Sequence, residues 1–345
     1  MSSYSGDIKL IDAAIVGLGW WGKNIVNAVQ GKSTRLRFIR GVSKEPDSVR
    51  DFAAQHKFEL STELADVLAD QRVQAVVLAT PHTLHTAQVI EVAKSGKAVF
   101  CEKPLAMKKA DALRAVQACE QAGIVLGLGT NKRFWPSMRE LRQVVASGVL
   151  GELLHIEAHY SNLNSNKNFA TWRDSPAESP GGGMTGSGIH VLDAVVTLGG
   201  PVRRVHAQLI SRKPQPDPLD TVSVLFEFEN RISGTLAAVR ATPFYWRVHV
   251  FGDKGSAEAL GENDLVLHRA GEKPRTAHFE PVDSLSAEFD AFADAVTGTT
   301  PYPIPTSHMV NTVAAFEAVI KSIATQATVT LGEASAQEFI FPPNS

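Results

Sequence analysis

From residue 9 to about residue 128, short apolar runs alternate with amphipathic stretches. The runs are "AAIVG" (13–17), "LRFIRGV" (36–42), "AVVLA" (75–79), "AVFC" (98–101) and "IVLGLG" (124–129). The segments between them, 22–30, 47–56, 83–95 and 108–121, have helical spacing. Strands apolar on both faces and separated by helices make a parallel sheet covered on both sides. This predicts a doubly wound α/β domain, whose ligands lie beyond the carboxyl ends of its strands.

After a linking helix over roughly 136–147 the rhythm changes. "ELLHIEAHYSNLN" (152–164) is a long alternating segment, and "RRVHAQLI", "TVSVLFEFE", "RISGTLAAVR" and "WRVHVFGD" follow it with turn residues between. Strands in succession without helices imply a largely antiparallel sheet. Helical patterns over roughly 188–198, 284–297 and 308–324 complete this part. A chain of 345 residues exceeds one ordinary core, so two domains are expected, 1–130 and 131–345. The net charge is −2 with no block of like charge, so nothing points to nucleic acid or a membrane surface as partner. The start lacks a signal-peptide pattern and no window of about 18 apolar residues occurs. Cys101 and Cys119 sit in apolar surroundings and read as buried, inert thiols. The cytoplasm is the expected compartment, and no metal site is expected.

Gly17-Leu18-Gly19-Trp20-Trp21-Gly22 follows the first strand and opens the first helix, the context a GxGxxG dinucleotide fingerprint requires. Gly17 allows the tight turn, Gly19 the approach of backbone to a pyrophosphate, and Gly22 close packing of helix on strand. Trp20 and Trp21, inside the same motif, are expected cofactor contacts as well. At the end of the second strand an NAD site usually has a carboxylate for the ribose 2′-hydroxyl. Here Ser43 and Lys44 stand there, a hydroxyl and a cation suited to a 2′-phosphate, which favours NADP over NAD. Glu45 would do the acidic job if Lys44 is only a solvated loop lysine. Thr80, Pro81 and His82 end the strand at 75–79, and Glu102, Lys103 and Pro104 end the strand at 98–101, where the nicotinamide half should run.

These residues carry a resemblance. The GxGxxG, Ala79-Thr80-Pro81 with His85, Glu102-Lys103-Pro104 and the glycine-rich segment before His190 resemble the glucose–fructose oxidoreductase/inositol dehydrogenase/MocA family. Asn131-Lys132-Arg133-Phe134, Trp172-Arg173 and "VFGDKGSAE" (250–258) extend it through nearly the whole chain. The resemblance implies a Rossmann domain and a second domain with an open, largely antiparallel sheet that commonly serves homo-oligomer assembly. It also implies NAD(P)-linked oxidation or reduction of a sugar, cyclitol or related cyclic alcohol or diol. His85 and Glu102 join the cofactor-binding set by the same route.

In that family an aspartate commonly stands four residues before the histidine of "PGGGMTGSGIHVLD"; this chain has Gly186. His190 can still exchange a hydroxyl proton near neutral pH. Asp193, three residues on, is within reach on a helix to orient it, and Lys103 can polarise the oxygen. These three are the expected catalytic residues. Tyr160, Asn162, Asn164, Trp172 and Arg173, with His190, are the expected substrate contacts. Two other readings stay open: a glycoside hydrolase using transient redox on bound nicotinamide, and a catalytically silent nucleotide-binding regulator.

Overall fold

The computed structural model describes residues 10–163 and 171–332. In chain order the first elements are β1 (Ile11–Val16), α1 (Trp20–Val29), β2 (Leu36–Val42), α2 (Arg50–His56), β3 (Glu59–Ser61), α3 (Leu64–Ala69), β4 (Ala75–Leu78), α4 (His85–Lys94), β5 (Ala98–Glu102), α5 (Lys109–Ala122) and β6 (Leu126–Gly129). Then come α6 (Pro136–Ala146), β7 (Leu153–Ser161), α7 (Ile189–Gly199), β8 (Val202–Ile210), β9 (Thr221–Phe228) and β10 (Ser233–Val239). The last are β11 (Tyr245–Gly252), β12 (Gly255–Leu260), β13 (Asp264–Arg269), β14 (Arg275–His278), α8 (Ser284–Val296), α9 (Thr306–Thr325) and β15 (Val329–Thr330).

The chain falls into two compact units. The first comprises the described residues up to Ala106 with Ala110–Phe134 and Asp283–Pro305; the second comprises Met107–Lys109, Trp135–Val282 and the residues from Thr306 on.

In the first unit six strands run in the order β3-β2-β1-β4-β5-β6, every pairing parallel. This is the doubly wound sheet expected from the apolar runs. β4 and β5 are buried at every position, the pattern of strands covered on both faces. The alternation did not reveal β3 and α3, which are only three and six residues long. Asp283 caps α8 by accepting the amide N–H groups of Leu285 and Ser286 at 3.1 Å. The helix then lays Phe289 and Phe292 on Phe100, ring centroids 4.4 and 5.4 Å apart. Each ring buried this way stabilises the unit by roughly 1.5–3 kcal/mol.

The second unit holds nine strands in the order β14-β13-β12-β11-β7-β10-β9-β8-β15. All pairings are antiparallel except β7 with β10. Between those two the chain passes through α7 and a hairpin, and such a crossover lets the strands return in the same direction. Ile156, Ala158, Val224, Leu236, Val248 and Val250 point inward to a core shared with α7 and α9. The opposite face carries Leu225, Tyr245, His159, Arg247 and Glu157 at half-buried or exposed positions. Among the described residues no helix is long and apolar enough to cross a membrane.

Candidate active site

Backbone sterics explain the glycines of the first βα turn. Gly17 has φ +94°, and a Cβ there would lie 2.5 Å from the Ala79 carbonyl oxygen. A Cβ at Gly22 would overlap the Gly17 carbonyl, so α1 could not seat on the turn. Gly19, at the start of α1, faces open space: its Cβ would meet nothing within 4 Å. No side chain caps α1 and its first turn has no acidic residue. A helix start with amide donors, a positive dipole end and room for close approach fits the pyrophosphate of a dinucleotide. Trp20 is 56% exposed beside this opening, its ring 5.5 Å from that of Trp21.

At the end of β2, Gly41 makes room for the Phe58 ring, which a Cβ would approach to 2.6 Å. The Ser43 hydroxyl accepts the Glu45 amide at 3.2 Å, and the Lys44 and Glu45 side chains are exposed. After β4, Thr80 Oγ1 donates to Gln88 Oε1 of α4 at 2.6 Å. His82 is 4% exposed, and His85 is fully buried. The His85 ring spans two loops: Nδ1 lies 2.7 Å from the Pro104 carbonyl and Nε2 3.0 Å from the Thr80 carbonyl. His85 thus ties the loop after β4 to the loop carrying Lys103. Glu102 is 6% exposed and accepts the Lys103 amide at 3.2 Å. A Cβ at Gly129 would come within 2.6 Å of the Glu102 carboxyl, so the neighbouring strand is cut away to admit it. Lys103 itself is half-buried and joined to Pro104 by a cis peptide.

In the second unit, residues Met184–Gly188 form a π-helical turn that runs directly into α7. The glycine-rich stretch signalled a turn into a helix but not this wider winding. His190 is the second residue of α7 and half-buried. The Tyr160 ring stands edge-on to it, centroids 6.4 Å apart. Tyr160 is 4% exposed, and its hydroxyl accepts the Asn162 amide at 3.0 Å. Burial pushes the Tyr160 phenol up, against the pull of the Asn162 bond, so it stays protonated at neutral pH. Asp193 is 2% exposed and its Oδ1 accepts from Thr312 Oγ1 of α9 at 3.1 Å. The Arg173 guanidinium lies over the Trp172 ring at 4.9 Å. Asn164 lies outside the described residues. Among the described residues no cluster of three metal-ligating side chains occurs.

Sequence reasoning missed an aromatic group around Tyr160. Trp246 lies 5.6 Å and Phe244 6.4 Å from its ring, and Trp135 closes the set at 5.0 Å from Trp246. Trp246 and Trp135 are buried while Phe244 is 48% exposed. The cluster packs around the Tyr160 ring and holds it in place. Its members are scattered through the sequence, and only the alternation in "WRVHVFGD" hinted that Trp246 points inward.

Residues 11–130 match the family described as "Oxidoreductase family, NAD-binding Rossmann fold", and residues 138–258 match "GFO/IDH/MocA C-terminal domain". A relative from Escherichia coli (strain K12), 2,7-anhydro-N-acetylneuraminate hydratase, is 26% identical over 280 residues, covering 78% of this chain and 72% of that protein. The bovine trans-1,2-dihydrobenzene-1,2-diol dehydrogenase is 26% identical over 220 residues, covering 63% of this chain and 64% of the relative. Among solved structures, levoglucosan dehydrogenase in complex with NADH and levoglucosan superposes with a TM-score of 0.83 at 19% identity, covering 94% of this chain and 100% of that one.

Proposed function

Because the chain belongs to the GFO/IDH/MocA oxidoreductase family, we propose that it transfers a hydride between NADP(H) and a carbinol carbon of a sugar, cyclitol or related cyclic diol. The observation that carries the reading is the glycine cradle: an uncapped α1 start, with Gly19 open and Gly17 and Gly22 admitting the close turn. The bovine relative is named for oxidation of a cyclic diol, and the structural neighbour was solved with NADH and levoglucosan.

The residue roles follow from chemistry. Bound nicotinamide supplies a hydride acceptor or donor at C4. His190 takes or returns the hydroxyl proton, work that suits an imidazole at neutral pH. Lys103 polarises the reacting oxygen, held by the His85 and Glu102 braces behind its loop. Asp193 steadies His190 along α7. Ser43 and Lys44 receive the 2′-phosphate, so NADP is preferred. Tyr160, Asn162, Asn164, Trp172 and Arg173 contact the substrate. The open face of the nine-stranded sheet carries a second copy of the chain, giving a homo-oligomer, and the enzyme works in the cytoplasm.

The test is a panel of sugars, cyclitols and dihydrodiols with both dinucleotides, following the near-ultraviolet absorbance of reduced nicotinamide together with product. Reduced cofactor should accumulate in step with oxidised product, more efficiently from NADP. Product without net cofactor reduction would replace the reading with transient redox. Tight cofactor binding without turnover on any member would replace it with a silent binding protein.

A further inference from the structure

Gly182 and Gly183 do not serve flexibility; they are the mould of a buried ion pair. Gly181 and Gly182 have φ +71° and +54°, values that favour glycine. A Cβ at Gly182 would overlap Asp220 Oδ2, and one at Gly183 would overlap Arg240 Cδ and lie 2.6 Å from Asp220 Oδ1. The Asp220 side chain is 0% and that of Arg240 4% exposed. The Gly183 amide donates to Asp220 at 2.9 Å (Oδ2) and 3.2 Å (Oδ1). Arg240 Nη1 donates to Asp220 Oδ2 at 3.2 Å and to the Asp217 carbonyl at 3.2 Å. Gln215 Nε2 adds a longer contact to Asp220 at 3.4 Å.

The pair grips the π turn from one side. Arg240 directly follows β10, and Ala238, two residues earlier on the same strand, would sit 3.3 Å from a Cβ at Gly188. One strand therefore touches both ends of the turn: Ala238 at Gly188, and Arg240, through Asp220, at Gly183. A π turn is rarely adopted unaided and recurs at functional sites. Burying two charges is a poor way to gain stability, since apolar replacements of like volume are often neutral or better. Fixing one conformation accounts for the pair's placement.

We propose that Asp220 and Arg240 are positioning residues, a buried ionic splint that holds the turn Met184–Gly188 and so sets the ring of His190 for proton transfer. The proposal rests on the reading of His190 given above. The main test is the double variant Asp220→Asn with Arg240→Met, which removes both charges at similar volume and avoids stranding either one. Its expected result is NADPH affinity near wild type and kcat lowered roughly tenfold to 10²-fold, as misplacement of a reacting group produces. Nitrogen NMR of the histidine rings, with His190 assigned through His190→Asn, should show a displaced imidazole resonance and pKa. Arg240→Lys keeps the charge but loses the planar fork, and should lie between wild type and the double variant in both readouts. A folded double variant with wild-type kcat and an unmoved His190 resonance overturns the splint. If the double variant fails to fold, Arg240→Lys decides, and wild-type values for both readouts overturn it. Should the wild-type protein turn over no polyol, the proposed function falls while the His190 resonance still decides the splint.

Discussion

Asp193 Oδ1 accepts a hydrogen bond from Thr312 Oγ1 at 3.1 Å, both residues being buried. The carboxylate three residues after His190 is therefore anchored to α9. Thr312→Val removes the donor at nearly constant volume and should cost about 1–2 kcal/mol of stability. If Asp193 steadies His190, kcat also falls severalfold while cofactor affinity holds. Thermal melts and steady-state kinetics check this. A lowered Tm with unchanged kcat would assign Asp193 to helix packing alone.

His190→Ala should lower kcat by roughly 10²–10⁴-fold, the usual worth of a positioned general acid–base. Dinucleotide affinity should not change, because the phosphates are assigned to the α1 cradle. In the wild type kcat/KM for oxidation should rise with pH through the imidazole pKa, and in the variant that step should disappear. A pH–rate profile of both proteins settles it.

A Cβ at Gly186 meets nothing within 4 Å, whereas one at Gly188 would lie 2.6 Å from Met184 Sδ. Gly186→Asp should thus fold with a Tm close to wild type, while Gly188→Ala loses about 1–3 kcal/mol from overpacking. On the native substrate Gly186→Asp should be less active, since added charge and bulk enter space adapted to something else. Common polyols should not become better substrates; a clear gain on them would mean that the site has decayed rather than been repurposed.

Lys44 is exposed at the end of β2, free to meet a 2′-phosphate without displacing a packed group. Lys44→Ala should weaken NADP roughly tenfold or more, one charge-assisted contact of about 1.5–3 kcal/mol, and leave NAD nearly unaffected. Fluorescence titrations with both cofactors measure the difference. Equal affinities in wild type and variant would remove the NADP preference.

Burial pushes the His249 imidazole below its ordinary value, with Arg247 adding to the shift and Glu258 opposing it. His159 and His56 shift the same way, burial first in each case. A folded value below the unfolded one means stability is present above about pH 6.5 and is lost as pH falls through the folded values. The Tm should therefore drop between about pH 7 and pH 5. His249→Gln, which leaves Phe251 without its stacked partner at 3.9 Å, should start lower and fall less steeply. A wild-type Tm that is flat or rising toward pH 5 would contradict the assignment.

The strands β4 and β5 were legible because burial on both faces leaves a nearly unbroken apolar run, and the first turn because its glycine spacing is a steric requirement. β3 was not, since three residues with one buried position carry no period. His85 was expected among the cofactor contacts; its ring also ties two backbone carbonyls together, a bracing role that motif spacing does not announce. The glycines before His190 announced close approach without saying to what, because the partners of Gly182 and Gly183, Asp220 and Arg240, stand about forty to sixty residues away and meet them only through the sheet's topology.

Phe289 and Phe292 complete a core whose other walls lie within the first 134 residues. Synthesis runs from the N-terminus, so Phe100 leaves the ribosome long before the rings that cover it. At 5–20 residues per second the interval from Phe134 to Asp283 lasts roughly 10–30 s, and during it the second unit's strands β7 to β14 emerge. The first unit thus cannot close until α8 has emerged, and its uncovered Phe100 face is what a nascent-chain chaperone would meet.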